Sequence, residues 1–178
     1  MSDASLTRKK NSHLFLVGFM RSGKSTVAAL LAARTGRPCV ELDEEIEKRT
    51  GRSIVELFSR DGEDKFRQIE KEALARLEQT PPSIVATGGG AFLDVANRQC
   101  MRMLGLTVWL DVPLEDARRR AGDGAGRPLW RDDDPVDFRA FFEHRRATYA
   151  LADCRVLTSQ KPPETLANEI FDRFERFF

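Results

Sequence analysis

Long apolar runs, an excess of one charge and paired cysteines are all missing from this 178-residue chain. The longest apolar stretches, such as residues 14–19, fall far short of the ~20 residues a membrane-spanning helix needs. Lys+Arg 29 against Asp+Glu 28 leaves a net charge of +1. No basic field therefore advertises nucleic acid, and there is no acidic tail. Only Cys39, Cys100 and Cys154 occur, odd in number and widely spaced. They make neither a disulfide framework nor a metal-ligand pair, so a reducing, cytoplasmic setting is expected. No internal repeat is visible. Residues 1–12 are polar and basic with no apolar core behind them, which reads as a disordered leader and not a signal peptide. What remains, residues 13–178, fits one domain. With 41% hydrophobic residues and 12 Phe it can build a core without staples.

Short apolar runs at 13–18, 38–42, 83–87, 106–112 and 155–158 alternate with segments of helical spacing. The first helical segment, 25–35, is rich in Ala and Leu and stops at Gly36. A second, 44–50, ends at Gly51. Ser53 with Glu56 three residues on is a capping box, Asp61-Gly62 reads as a turn, and 63–79 carries Phe66, Ile69, Ala73, Leu74 and Leu77 as a buried stripe. Its remaining charged residues read as a solvated face. Pro113, Pro135 and Pro163 suit the first turns of later helices. Alternating strands and helices imply parallel strands with helices on both faces, an α/β three-layer sandwich. Cys39 and Cys154 fall in or beside strands and are expected in the core. His13 and His144 have no partner suggesting acid–base work. The Gly- and Asp-rich stretch 122–134 interrupts the pattern and reads as a mobile insertion.

Gly18-Phe19-Met20-Arg21-Ser22-Gly23-Lys24-Ser25 is a Walker A pattern placed between a buried strand and a helix. Its glycines let backbone N–H groups turn around phosphate oxygens, and the helix N-terminus adds a partial positive charge. Lys24 would reach the β and γ oxygens and the Ser25 hydroxyl would sit on Mg²⁺. Arg21 stands where glycine is frequent, and the sequence leaves it open between solvent and phosphate.

The chain is too short for a motor domain and lacks an evident guanine-reading motif. After the third apolar run comes Gly88-Gly89-Gly90, where a hydrolase would usually place a metal-holding Asp. Bare backbone at the C-terminal edge of a sheet suits close approach by a substrate. Charged residues cluster at the ends of the same elements: Glu41 and Asp43 closing the second strand, Arg67 and Glu70 a helical turn apart, Arg127 in the insertion, and Arg145 with Tyr149 four residues on.

Taken together, residues 18–26, Glu41-x-Asp43, Arg67-x-x-Glu70, Thr87-Gly88-Gly89-Gly90-Ala91, Arg127-Pro128 and Arg145-x-x-x-Tyr149 resemble the shikimate kinase family, in order from about His13 to the C-terminus. The resemblance implies a nucleoside-monophosphate-kinase-like P-loop fold, a five-stranded parallel sheet with a mobile lid at about 122–134. The implied reaction joins MgATP and shikimate to give shikimate 3-phosphate and ADP, in chorismate and aromatic amino acid biosynthesis, by a monomer without nucleic-acid or membrane partners. It implies Asp43 as hydroxyl holder and candidate base, Arg67 and Arg145 as a carboxylate clamp, and Gly88, Gly89 and Gly90 against the ring. It implies ATP contacts from Arg21, Ser22, Gly23, Lys24, Ser25 and Thr26, with Arg127 closing on the phosphates. Arg120 would stack on adenine, and Lys161 and Pro163 would border the base. Ser25 and Glu41 would serve Mg²⁺. Glu41 replaces the family's usual Asp, and Lys161 stands where Arg is common. Glu70 is open between a support for Arg67 and a plain surface residue. Two other readings stand beside this one: a gluconate-type sugar-acid kinase on the same fold, and a shikimate-binding regulatory homologue without catalysis.

Overall fold

Residues 13–17 alternate between two apolar environments because successive side chains of a strand point to opposite faces. In the computed structural model, which describes residues 12–121 and 135–177, this segment is strand β1 (His13–Val17), wholly buried at the centre of the sheet. Around it lie β2 (Cys39–Glu41), β3 (Ile84–Ala86), β4 (Gly105–Asp111) and β5 (Cys154–Leu157), all parallel, in the order β2-β3-β1-β4-β5. Leu14 and Leu16 face one layer with α1 (Lys24–Thr35) and α7 (Pro163–Phe174), where Val27, Leu31, Leu166 and Ile170 close the core. Phe15 and Val17 face the other layer, with α2 (Leu42–Thr50), α3 (Ile54–Arg76), α4 (Val95–Leu104), α5 (Leu114–Ala121) and α6 (Pro135–Tyr149). Helices on both faces explain why the central strand can be apolar throughout.

The capping box is present: Ser53 Oγ accepts from Glu56 N–H at 3.2 Å, and Glu56 accepts from Ser53 N–H at 2.8 Å. Gly62 breaks α3 with φ 81 and ψ 172, the predicted turn, which divides the helix without separating its halves in sequence. Three expectations need correction, and one helix was not foreseen. Asp43 lies in the first turn of α2 and not at the strand end, because β2 stops at Glu41. Carboxylates suit that position, where the helix presents its positive pole. Cys39 is exposed, being the first residue of an edge strand, whereas Cys154 is buried. Helix α4 was not expected; its signal is Asp94, whose side chain caps it by accepting from Asn97 N–H at 3.1 Å. The charged helix is not a uniformly solvated face, since Glu70 is 1% exposed.

His13 has a structural task. Its Nδ1 accepts from Ser83 N–H at 3.1 Å, so Nε2 carries the proton and donates to Leu77 O at 2.9 Å. Burial pushes its pKa down, in keeping with a neutral ring. Among the described residues no helix is long and apolar enough to cross a membrane. The leader expected at 1–12 and the insertion expected at 122–134 lie outside the described residues, apart from Ser12.

Candidate active site

Two cavities open at the C-terminal edge of the sheet. The first, of about 260 Å³, is walled by Met20, Ile54, Val55, Phe58 and Phe66 on its apolar side, with Asp43, Arg67, Glu70, Arg145 and Gly88, Gly89 and Gly90 supplying polar groups. The second, of about 350 Å³, is lined by Arg21, Gly23, Lys24, Ser25, Thr26 and Glu41, together with Asp43 and the start of the glycine run. Asp43, Gly88 and Gly89 belong to both walls.

Two glycines of the run, Gly88 and Gly90, are crowded by side chains of the site. A Cβ on Gly88 would stand 2.7 Å from Asp43 Oδ1, and one on Gly90 would stand 2.5 Å from an Arg67 guanidinium nitrogen. Side chains from α2 and α3 therefore rest against bare backbone. Arg67 donates to Glu70 at 2.9 Å and to Glu63 at 3.1 Å. Burial pulls on its pKa downward, but Glu70 and Glu63 outweigh it and the result is raised. Glu70 also accepts from Asn97 Nδ2 at 3.4 Å, while its other oxygen has no hydrogen-bond partner among the described residues. Burial dominates and lifts the Glu70 carboxyl to about 6, against the opposing pull of Arg67. Glu70 is thus buried against Arg67 and is not a plain surface residue. Asn97, which the sequence did not flag, braces the pair and also donates to Ala91 O at 3.0 Å.

Arg145 is 6% exposed, with its guanidinium 4.0 Å over the Phe141 ring. Burial lowers its pKa, and nearby Arg67 adds to the effect. The Tyr149 phenol nearby opposes this lowering, and its hydroxyl donates to the Gly89 carbonyl. Glu47, also unflagged, joins the walls by accepting from Ile54 N–H at 2.8 Å.

In the phosphate loop, Gly23 has φ 95 and Arg21 has φ 55, a left-handed conformation that costs a non-glycine residue roughly 1–2 kcal/mol. Arg21 is exposed, lines the second cavity and donates to Arg120 O at 2.7 Å, at the C-terminal end of α5. Lys24 Nζ donates to Phe19 O at 2.8 Å and Gly18 O at 3.1 Å. Ser22 is buried in the loop. Ser25 Oγ donates to Glu41 at 3.0 Å, and burial raises the Glu41 pKa. Arg120, Lys161 and Pro163 are not among the residues lining either cavity. Lys161 instead pairs with Glu169 at 2.5 Å, and Pro163 opens α7. Arg127 lies outside the described residues.

Known proteins match this arrangement. The family model described as Shikimate kinase matches residues 20–175. A curated shikimate kinase from Persephonella marina is 40% identical over 161 residues, covering 90% of this chain and 98% of that one. The solved shikimate kinase from Acinetobacter baumannii in complex with shikimate superposes with a TM-score of 0.87 at 32% identity, over 96% of this chain and 97% of that one. A gluconokinase from Sinorhizobium meliloti, at 16% identity and a TM-score of 0.60 over 95% of this chain and 94% of that one, shares the fold alone.

Proposed function

This chain belongs to the shikimate kinase family, and we propose on that footing how its residues carry out the transfer of the γ-phosphoryl group of ATP to the 3-hydroxyl of shikimate. The cavity of Arg67, Arg145 and Asp43 takes shikimate, and the phosphate-loop cavity takes the nucleotide. Asp43 carries the reading, because it is the charged side chain common to both walls.

Two arginines with planar donor forks suit a carboxylate better than ammonium groups would. With the acid held at that end, the ring hydroxyls fall toward Asp43 and the glycine backbone. As the hydroxyl oxygen bonds to the γ-phosphorus and the bridge to ADP breaks, Asp43 takes the hydroxyl proton. The transition state is loose, so positioning and charge neutralisation do most of the work. Lys24 supplies part of that charge after exchanging its loop carbonyls for phosphate oxygens. Ser25 and Glu41 are hard oxygen donors within hydrogen-bond distance of each other, a fit for Mg²⁺ shared with nucleotide phosphates, which would add neutralising charge. Glu41 for Asp keeps this charge. Arg127 as a further phosphate ligand, with Arg120, Lys161 and Pro163 for the base, completes the proposed set of ATP-binding residues. The reading takes the chain as a monomer, since one chain lines both cavities, and as cytoplasmic on the ground of its few, free cysteines.

ADP release by the purified protein should depend on added shikimate, with gluconate inert. Phosphorylation of gluconate with shikimate inert would overturn the assignment, as would binding of both ligands without turnover.

A further inference from the structure

Tyr149 is the only tyrosine in the chain and is 2% exposed, yet the transfer just described does not use it. It stands one helical turn after Arg145 on α6, below the first cavity and beside Trp109, whose ring centroid is 6.3 Å away. Its hydroxyl donates to the Gly89 carbonyl, while the buried Arg145 guanidinium lies near enough to oppose the burial-driven rise of its pKa. These partners come from the two elements that would grip opposite parts of a bound hydroxy acid, the clamp helix and the glycine run. We propose that Tyr149 is a positioning residue that fixes the Arg145 guanidinium and the Gly89–Gly90 peptide relative to each other, and so sets the preference for an anionic carboxylate substrate.

The geometry supports this in two ways. A planar trans peptide sets its N–H opposite its C=O, so anchoring the Gly89 carbonyl on Tyr149 turns the Gly90 N–H away from the core, on the side of the cavity that Gly90 lines. A buried guanidinium stacked on Phe141 and flanked by a buried phenol is also restricted in rotation, which leaves its donors preset for an incoming anion. Burial holds the phenol up at about 12, so the hydroxyl remains protonated throughout the working pH range and keeps its bond to Gly89. The inference rests on the functional reading above.

The test uses Tyr149→Phe, which removes one oxygen and keeps the ring. In the full-length wild type, kcat/KM should be much higher for shikimate than for its methyl ester, which lacks the negative charge. In Y149F that preference should shrink about tenfold while the KM for ATP stays within about twofold, because the lost hydrogen bond acts on the clamp alone. A general packing defect would lower both substrates together and move ATP as well, and that result overturns the proposal. So does an unchanged preference. If Y149F does not fold, the wild type labelled with ¹³Cζ-tyrosine gives a single resonance to follow. It should shift on adding shikimate and shift less with the ester; no response to shikimate overturns the role. Absence of shikimate turnover in the wild type would remove the functional reading and this inference with it, whereas turnover with an intact preference in Y149F removes this inference alone.

Discussion

Glu70 sets the most testable electrostatics at the scale of single residues. Its carboxyl would ionise near 4.5 in the unfolded chain and does so at about 6 in the fold. Proton binding therefore favours the folded state, and Glu70's contribution to stability is full below about pH 4.5 and lost as the pH rises through 6, roughly 2 kcal/mol in all. Activity runs the opposite way, because the ionised form holds Arg67 at 2.9 Å. We expect kcat/KM for shikimate to fall as the pH drops through about 6, and Glu70→Gln to flatten that inflection while raising the shikimate KM. An inflection retained in E70Q assigns it to another group, the nearest acids being Asp43, Asp94 and Glu63. Lys24→Ala should lower kcat by about a hundredfold or more while leaving shikimate affinity nearly intact, since the ammonium meets charge that develops in the transition state. Single-turnover rates and ligand titrations separate the two effects.

Between elements, glycine sets how closely backbones and side chains approach. At Gly90 the obstruction to a Cβ is the end of a flexible arginine. Gly90→Ala should therefore fold with a thermal midpoint within a few degrees of the wild type and raise the shikimate KM by about tenfold through displacement of Arg67. At Gly105 the obstruction is backbone: a Cβ would stand 1.9 Å from His13 O, across the β1–β4 pairing. Gly105→Ala should cost about 3 kcal/mol or more, because two paired strands must separate to admit it. Chemical denaturation checks both. Much at this scale could be read in advance from local chemistry. The capping box at Ser53, the break at Gly62 and the strand-to-helix phosphate loop each depend on residues within a few positions of one another. Helix α4 went unread although its sequence is amphipathic and its Asp94 cap was a readable signal, because it is short and lies directly between the glycine run and β4. The partners of Glu47, Asn97 and Tyr149 escaped because they come from different elements: Ile54 on α3, Glu70 on α3 and Gly89 after β3. Arg21 could not be decided for the same reason, its acceptor lying 99 residues away.

For the whole molecule, separate cavities meeting at one acid predict linked but distinct ligand effects. Shikimate or ADP at a hundred times its dissociation constant should each add about 2.7 kcal/mol, a rise of about 5–10 °C in Tm for a domain of this size. The shift with both ligands should reach at least the sum of the two, as measured by calorimetry. No shift with shikimate would contradict the clamp. The order β2-β3-β1-β4-β5 puts β1 between two partners and beneath two helical layers. Its amide protons should therefore trade with deuterium only when the entire domain opens, whereas those of α2 and the start of α3 trade through smaller openings. The nucleotide's footing thus stays shut on the slowest clock in the protein while the wall around the acid breathes on a faster one.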